Sequence, residues 1–410
     1  MTRGLQLVIF LCLVQVFPAM ADSYLVTNAR LYMSPSGEVV SLLIRDGRIA
    51  RIGNEFEAGE DARVIDAGGG IVTPGLMNSA TNLGLLELHS IKETVDHVGK
   101  TKAHAPDFDV SYGINQNSVL LDVVRSEGLA RAVTLPGGDG EDPFVGAGTL
   151  LHLKTRGDIV DKAGIALVAD IGGLGAGSKS RAASWSDLYH FFDKTAEHPA
   201  SPKKKKHANP DILLSILEGK TPLAIMTNRE SDIRQAIRFG ERWEKVRIVI
   251  IGGAEAWRVA PELAKAGIPV VLNPYDILPS SYDAIGSRGD NAAILHKAGV
   301  KIAFCTYSIF KSHNAGNVMR IGAGLAVRYG LDRKAALDAM TKNPAEIWGI
   351  EAGFGTLEEG KTADLVVWSG DPLEPLSVPQ QIFLDGKPFI AKSRQIQLRD
   401  KYHPLSQGNK

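Results

Sequence analysis

Two kinds of hydrophobic pattern divide the chain. Near the N-terminus, apolar and polar residues alternate in YLVTNARLY and VVSLLIRDGRIARIG, and Gly-containing turns separate these runs. A period of two with such turns predicts short, half-buried β-strands. The same pattern returns near the C-terminus in QQIFLDGKPF. We therefore expect residues 22–74 and residues 351–410, the latter with a tail, to build one small β-sandwich from both chain ends.

The middle of the chain carries continuous apolar runs instead. They are RAVTLPGG, GTLLHLKT, GIALVADIGG, TPLAIMTN, VRIVIIGG, IPVVLNP and VKIAFCTYS. Such runs are typical of parallel strands that are buried on both faces. Helical stretches such as Glu230–Phe239 and Arg333–Thr341 lie between or after them. With IVTPGLMNSA as the first strand, this pattern predicts an α/β fold with a (β/α)8 TIM-like barrel over residues 75–350. A doubly wound open sheet is the main alternative, but no Gly-rich nucleotide loop follows any strand.

The first 21 residues predict a signal peptide. Arg3 supplies a positive start, Leu5–Phe17 is an apolar run, and Ala19-Met20-Ala21 has the small-x-small form of a cleavage site. We expect a periplasmic or secreted protein with no membrane span after cleavage. Cys305 would then be the last cysteine, which excludes an internal disulfide.

Composition changes this picture little. The 410 residues are 44% hydrophobic and 22% charged, and 46 basic residues balance 46 acidic ones. This balance gives no indication of a nucleic-acid partner. The one charge run, at residues 203–206, lies between prolines and is expected to be a solvated loop.

The two ends of the predicted barrel carry a specific resemblance. The motif TPGL that follows the small sandwich, and the stretch from Lys342 to Glu374 with KNPAEIWGI and GFGTLEEGKTADLVVWSGDPLE, resemble the amidohydrolase superfamily in its imidazolonepropionase-like branch. The resemblance implies hydrolysis of amide-like carbon–nitrogen bonds by a metal centre, commonly zinc or another divalent ion. It also implies ligands from a His-x-His on strand one, His residues after strands five and six, an Asp after strand eight and often a Lys on strand four.

These ligand positions hold other residues in this chain. Transferred one by one, they fall on Ala80 and Asn82, on Met226 or Asn228, on Gly252 or Gly253, and on Tyr307. Strand four has no lysine, and its only charge is Asp170. Zinc sites require His, Cys or carboxylate donors. We therefore predict no metal site and no cofactor, so that any catalysis would be divergent or metal-poor.

Three residues remain as catalytic candidates. His313 follows the eighth strand and is either a general base or a loop histidine that only forms hydrogen bonds. Glu255 is either an acid at the barrel mouth or a cap of the helix that follows it. Tyr307 occupies the position of the family's aspartate and would act with one of these two.

Four residues at strand ends are candidates for substrate binding: Asn82, Asn228, Arg229 and Asn273. Arg229 would either clamp a carboxylate or pair with a neighbouring acid at the mouth. The long segment from Leu272 to Gly299 is expected to cover the mouth, with Tyr275, Tyr282 and Arg288 facing a pocket. Glu93, Asp96 and His97 have helical spacing and are expected on a solvated helix face.

Two functions follow from this sequence. One is an exported, divergent amidohydrolase that acts on a small-molecule substrate. The other is a catalytically inactive pseudoenzyme that binds a small ligand or pairs with an active relative. Assembly as a homo-oligomer or as a heteromer with such a relative stays open. A purely structural role has no positive support in the sequence.

Overall fold

The computed structural model describes residues 23–32, 34, 37–54, 56, 59, 62–99, 105–138, 143–172, 180–197, 210–307, 314–390 and 394–402. The predicted signal peptide, residues 1–21, and the lysine run lie outside the described residues. Within these ranges no helix is both long enough and apolar enough to cross a membrane.

The strands form three groups along the chain. The first group is β1 (Ser23–Leu31), β2 (Val39–Arg45), β3 (Arg48–Gly53), β4 (Ala62–Asp66) and β5 (Ile71–Pro74). The second is β6 (Leu76–Thr81), β7 (Leu129–Thr134), β8 (Phe144–His152), β9 (Val160–Asp170), β10 (Leu223–Thr227), β11 (Ile248–Gly252), β12 (Val270–Leu272) and β13 (Ile302–Phe304). The third is β14 (Leu365–Trp368), β15 (Pro379–Leu384) and β16 (Lys387–Phe389).

The first and third groups join in one sheet of order β16-β15-β14-β5-β1-β2-β3, and β4 also pairs with β1. A register shift between Val26 and Ala29 lets the first half of β1 pair with β4 and its end pair with β5. The predicted union of the two chain ends is therefore confirmed. The hydrogen bonds define one branched sheet, and its packing as a sandwich stays a prediction.

The second group forms a sheet whose order runs from β6 to β13. Most neighbours are parallel, but β8 is antiparallel to both β7 and β9. The regular (β/α)8 expectation was wrong at this point. Only seven residues, Leu153–Ile159, link β8 to β9, whereas a parallel crossover needs a dozen or more. A short connection therefore forces the chain to turn back.

Contacts between β6 and β13 bring the two edges of this sheet together. The N–H of Thr306 donates to the carbonyl of Ala80 at 3.3 Å and to Asn78 Oδ1 at 3.1 Å. Asn78 Nδ2 donates to Thr306 Oγ1 at 2.7 Å. Asn78 and Thr306 have no exposed surface. The eight strands therefore form a nearly closed barrel, and their mouth-side ends converge.

The helices are α1 (Val119–Ser126), α2 (Arg181–Glu197), α3 (Pro210–Leu217), α4 (Glu230–Arg242), α5 (Ala260–Ala266), α6 (Asn291–Lys297), α7 (Ala315–Arg328), α8 (Arg333–Asp338), α9 (Lys342–Trp348) and α10 (Arg394–Tyr402). The predicted helix at Glu230–Phe239 is confirmed as α4. The predicted helix at Arg333–Thr341 ends earlier, at Asp338, and Thr341 precedes α9 with φ −136° and ψ −80°.

Asp364 connects the small sheet to the bottom of the barrel. Its side chain is fully buried, with Oδ1 at 3.0 Å from His152 Nε2 and Oδ2 at 3.4 Å from Arg131 Nε. Asp364 Oδ1 also accepts the N–H of Asp385 at 2.7 Å. Burial alone would raise the pKa of Asp364, but His152, Arg131 and this N–H outweigh burial and hold the pKa below its usual value.

We expect Asp364→Asn to destabilise the protein by about 3 kcal/mol at neutral pH, because His152 and Arg131 lose a buried, charged partner. Arg131 keeps its pair with Asp161. A depressed folded-state pKa contributes stability above the unfolded pKa and loses it as pH falls through the folded pKa. The difference between variant and wild type should therefore shrink below about pH 4. Denaturant unfolding at several pH values measures it.

Asp122→Asn is the matched control, because Asp122 pairs with Arg125 but its side chain is 75% exposed. Exposed pairs contribute at most about 1 kcal/mol. Equal losses in the two variants would contradict a special role for the buried carboxylate.

Candidate binding site at the barrel mouth

The mouth-side ends of β10 to β13 surround a pocket of about 850 Å3 of non-protein space, counting the solvent at its opening. Met226, Ile251 and Leu272 supply apolar walls. Its polar lining includes Asn228, Asn273, Ser280, Ser287, Arg288, Asn291 and Tyr307. An apolar pocket with a few convergent polar groups is the usual form of a small-molecule site.

Asn228 and Gly252 shape one wall of this pocket together. Asn228 Oδ1 accepts the N–H of Ala254 at 3.3 Å. Gly252 has φ +104°, and a Cβ at this position would lie 2.8 Å from Asn228 Oδ1 and 3.0 Å from the carbonyl oxygen of Thr227. A larger residue would be strained at this φ and would press against the Asn228 side chain. Gly252 is one of the two positions, with Gly253, to which the family resemblance transfers a metal-binding histidine.

Asn82 lies deeper in the barrel than predicted. It is 1% exposed, and its Nδ2 donates to the carbonyl of Leu135 at 3.2 Å. It does not line the pocket. Ala80, the other position of the family's strand-one pair, has no exposed surface. Asn82 Nδ2 therefore already donates one hydrogen bond within the fold. A contact between Asn82 and substrate stays a prediction.

Tyr307 lines the pocket, and its hydroxyl donates to the carbonyl of Pro136 at 2.9 Å. Burial raises the pKa of the Tyr307 hydroxyl above its ordinary value; Asn82 opposes this rise and Asp170 adds to it. The hydroxyl is therefore protonated at neutral pH and serves as a hydrogen-bond group rather than as a base.

Glu255 caps a helix, but not the one that follows it. Its Oε2 accepts the N–H of Glu230 at 2.9 Å, at the first residue of α4. The expectation of a cap on the following helix was wrong in its partner, because the loop after β11 turns back toward the helix after β10. The carboxylate is thus held at the positive end of α4, and a catalytic role stays a prediction.

Arg229 belongs to an ion-pair cluster at the mouth. Its Nε lies 2.9 Å from Asp283 Oδ1, and Arg181 also pairs with Asp283. Arg181 Nε lies 3.0 Å from Asp232 Oδ2. Burial raises the pKa of Asp232 and of Asp283, and the arginines partly offset this rise. The alternative of an ion pair therefore describes Arg229, with Asp283 as the partner.

This cluster and a tryptophan fasten the long segment over the mouth. Trp257 Nε1 donates to the carbonyl of Gly286 at 3.0 Å. The guanidinium of Arg288 lies 4.4 Å from the centre of the Trp257 ring. Arg288 lines the pocket as expected. Tyr275 and Tyr282 are 46% and 87% exposed and do not line it, so that part of the expectation was wrong.

The structure tests the prediction for only one of the two loop histidines, His97. His313 lies outside the described residues, and its catalytic role stays a prediction. His97 is buried rather than solvated, and it follows a single 3-10 turn at Lys92–Thr94 rather than an α-helix. Its Nδ1 has no partner among the described residues, and burial lowers its pKa. A Cβ on Gly137 would lie 3.0 Å from His97 Cδ2 and 3.4 Å from the Tyr307 hydroxyl, so both side chains approach Gly137.

Sequence reasoning missed two polar groups near the mouth. Asn291 begins α6 and lines the pocket, and His97 approaches Gly137. Neither residue carries a motif, and Asn291 lies in a polar stretch that resembles any helix start. Across the described ranges, no group of three or more His, Cys, Asp or Glu residues is arranged to hold a metal ion.

Comparison with known proteins gives consistent relatives. A model of the amidohydrolase family matches residues 228–393. The amidohydrolase TasK of Hapsidospora irregularis is 26% identical over 377 residues, which cover 77% of this chain. The imidazolonepropionase of Maricaulis maris is 30% identical over 121 residues, or 29% of this chain. These matches support the predicted resemblance of the chain to the amidohydrolase superfamily.

The structural comparison supports the same fold. The crystal structure of an amidohydrolase from Thermotoga maritima superposes with a TM-score of 0.80 at 24% identity, covering 90% of this chain and all of that one. The matches span only 37% of TasK and 28% of the imidazolonepropionase. The activity of those whole proteins is therefore not transferred directly to this amidohydrolase relative.

We expect Glu255→Gln to lower the free energy of unfolding by about 1 kcal/mol, because the amide keeps the contact to the Glu230 N–H but loses its charge at the start of α4. Thermal or denaturant unfolding measures the change. Glu374→Gln, at an exposed position without such a contact, is the control and should unfold like wild type. An unchanged stability of the Glu255 variant would contradict the capping role.

Proposed function

We propose that this amidohydrolase relative is an exported protein that binds a small, uncharged polar molecule at the barrel mouth, without the binuclear metal centre of its family. The observation that carries the proposal is Gly252, where φ is +104° and an added Cβ would lie 2.8 Å from Asn228 Oδ1, so that this position favours glycine over a metal-binding residue. Ala80 and Tyr307 stand at two further ligand positions and do not supply the donors that zinc prefers.

The pocket supplies binding groups of a different kind. Asn228 and Asn273 line it with neutral amides, and Tyr307 lines it with a phenol that stays protonated. Neutral amides and hydroxyls orient a polar ligand by hydrogen bonds without adding charge. Met226 and Leu272 add apolar contact area. These residues support binding more directly than they support bond cleavage.

Hydrolysis of an amide-like carbon–nitrogen bond is the second candidate, and the resemblance to amidohydrolase-type hydrolases favours it. Without a metal, the attacking water would need a general base. Glu255 accepts a hydrogen bond at the start of α4 and Tyr307 holds its proton, so His313 would be the remaining candidate for the base. Metal-free catalysis therefore requires more assumptions than ligand binding alone does.

The proposal includes export of the protein and its pairing with an active relative. The signal-peptide pattern of residues 1–21 supports a periplasmic or secreted protein. In a heteromer with an active relative, this chain would be the non-catalytic subunit. The length of TasK, of which this match covers 37%, is compatible with a second unit beside the matched one in that protein.

We expect the purified protein, prepared without a His-tag, to hold far less than one transition-metal ion per chain after incubation with zinc or manganese and removal of the excess. Elemental mass spectrometry measures the metal content. The physical reason is that Ala80 and Gly252 supply no donor atoms, and affinity for zinc requires three or four of them. About one tightly held ion per chain would contradict the proposal.

The control is a relative with the intact His-x-His motif, treated in the same way, which should retain its metal. If the present protein binds metal, a panel of amides and imides should then be tested for hydrolysis. If it hydrolyses any of them without metal, Tyr307→Phe and His313→Ala separate the two catalytic candidates, and the binding-only version of the proposal fails.

A further inference from the structure

Residues 275–289, which we call the mouth segment, supply the outer part of the pocket wall. Its members in the lining are Asp276, Ser280, Ala284, Ser287, Arg288 and Gly289. The inner wall comes from the strand ends and includes Met226, Leu272 and Cys305. Although Cys305 lines the pocket, this residue is only 2% exposed. The inner wall at Cys305 is therefore nearly closed off from solvent in this arrangement.

The mouth segment has few regular contacts with the barrel. Its backbone N–H groups donate within the segment or to Asn273, as Ala284 does to the carbonyl of Ser281. Among the described residues, no backbone-to-backbone hydrogen bond joins the segment to a barrel strand. Three of its large apolar side chains are exposed, namely Leu278, Tyr282 and Ile285. A region with so few buried apolar contacts opens at a lower free energy than the core of the protein does.

One carboxylate, that of Asp283, connects the middle of the mouth segment to two arginines of the barrel. Asp283 Oδ1 lies 2.9 Å from Nε of Arg229, directly after β10, and it also accepts from Nη2 of Arg181, the first residue of α2. The Asp283 side chain is only 12% exposed, so these pairs are partly shielded from water. Both arginines remain on the barrel if the segment lifts, and only Asp283 moves away. The closed arrangement therefore depends on two ion pairs to one atom.

Neutral contacts hold the end of the segment that leads into α6. Trp257 Nε1 donates to the carbonyl of Gly286 at 3.0 Å, and the Arg288 guanidinium lies over the Trp257 ring. These contacts do not involve Asp283. Loss of the Asp283 pairs would therefore loosen the segment without detaching this end.

We propose that the mouth segment is a lid that opens and closes over the pocket, and that the ion pairs of Asp283 with Arg229 and Arg181 latch it in the closed position. Molecules enter and leave the pocket when these pairs break. Lids of this kind control access to many binding and active sites. The inference rests on the proposed function only in taking this pocket as the binding site, and it requires neither a particular ligand nor the absence of a metal.

The thiol of Cys305 reports the opening of the lid from inside the pocket. The chain has two cysteines, so Cys12→Ser leaves Cys305 as the only one. The purified protein is mixed with 4,4′-dithiodipyridine, an uncharged thiol reagent, and the absorbance of the released thiopyridone gives the labelling rate. When closing is faster than labelling, this rate is proportional to the fraction of molecules in which the lid is open.

In this background we expect Asp283→Asn to label about tenfold faster, because the amide lacks the charge that binds both arginines. Asp193→Asn is the matched control, since it breaks the pair between Asp193 on α2 and Arg242 on α4, outside the pocket, and should label at the parent rate. Raising the salt concentration from about 0.05 M to about 1 M should speed labelling of the parent more than that of Asp283→Asn, because salt screens ion pairs. If Asp283→Asn does not fold, Arg229→Gln replaces it and should label about threefold faster, since Arg181 remains as a partner.

Denaturant unfolding of the same variants distinguishes a lid from unfolding of the whole protein. Equal labelling rates in the parent and a folded latch variant would overturn the inference. The same holds if labelling accelerates only by the factor by which the variant raises the global unfolding constant, or if Cys305 of the parent reacts as fast as free glutathione. Tight metal binding would overturn the metal-free function instead and leave the lid standing, because the labelling test uses neither metal nor ligand.

Discussion

The site depends on the hydrogen bonds between Asn78 and Thr306, which bring the first and last strands of the barrel together. The amide of Asn78 satisfies both the N–H and the hydroxyl of Thr306 where the ladder between β6 and β13 is incomplete. Buried polar groups that are satisfied in this way hold one arrangement strongly. Because this contact nearly closes the sheet, the mouth-side ends of β10 to β13 surround one pocket instead of lying along an open edge.

Around that mouth, several polar residues make contacts that stabilise the fold. Glu255 caps α4, and Arg229 pairs with Asp283 to fasten the segment above the pocket. The atoms that remain are amide groups rather than metal donors or poised bases.

Local pattern predicted most strands, because burial on two faces leaves a continuous apolar run, as in IVI of β11. It did not predict the direction of β8, since an apolar run reads the same in a parallel or an antiparallel sheet. The short link Leu153–Ile159 was the available signal. The predicted helix at Arg333–Thr341 ended three residues too late, because Ala339, Met340 and Thr341 include no helix-breaking residue.

The sequence by itself determined the α/β class and the joining of both chain ends, because these follow from periodicity. Only the tertiary structure decided what each polar side chain does. Glu255 and Asp283 meet partners 25 and 54 positions earlier in the chain, at Glu230 and Arg229. Asn291 Nδ2 donates to the carbonyl of Gly253, 38 positions earlier, because α6 lies beside that loop. Hydrogen bonding depends on distance and direction in space, and neither is contained in the order of residues along the chain.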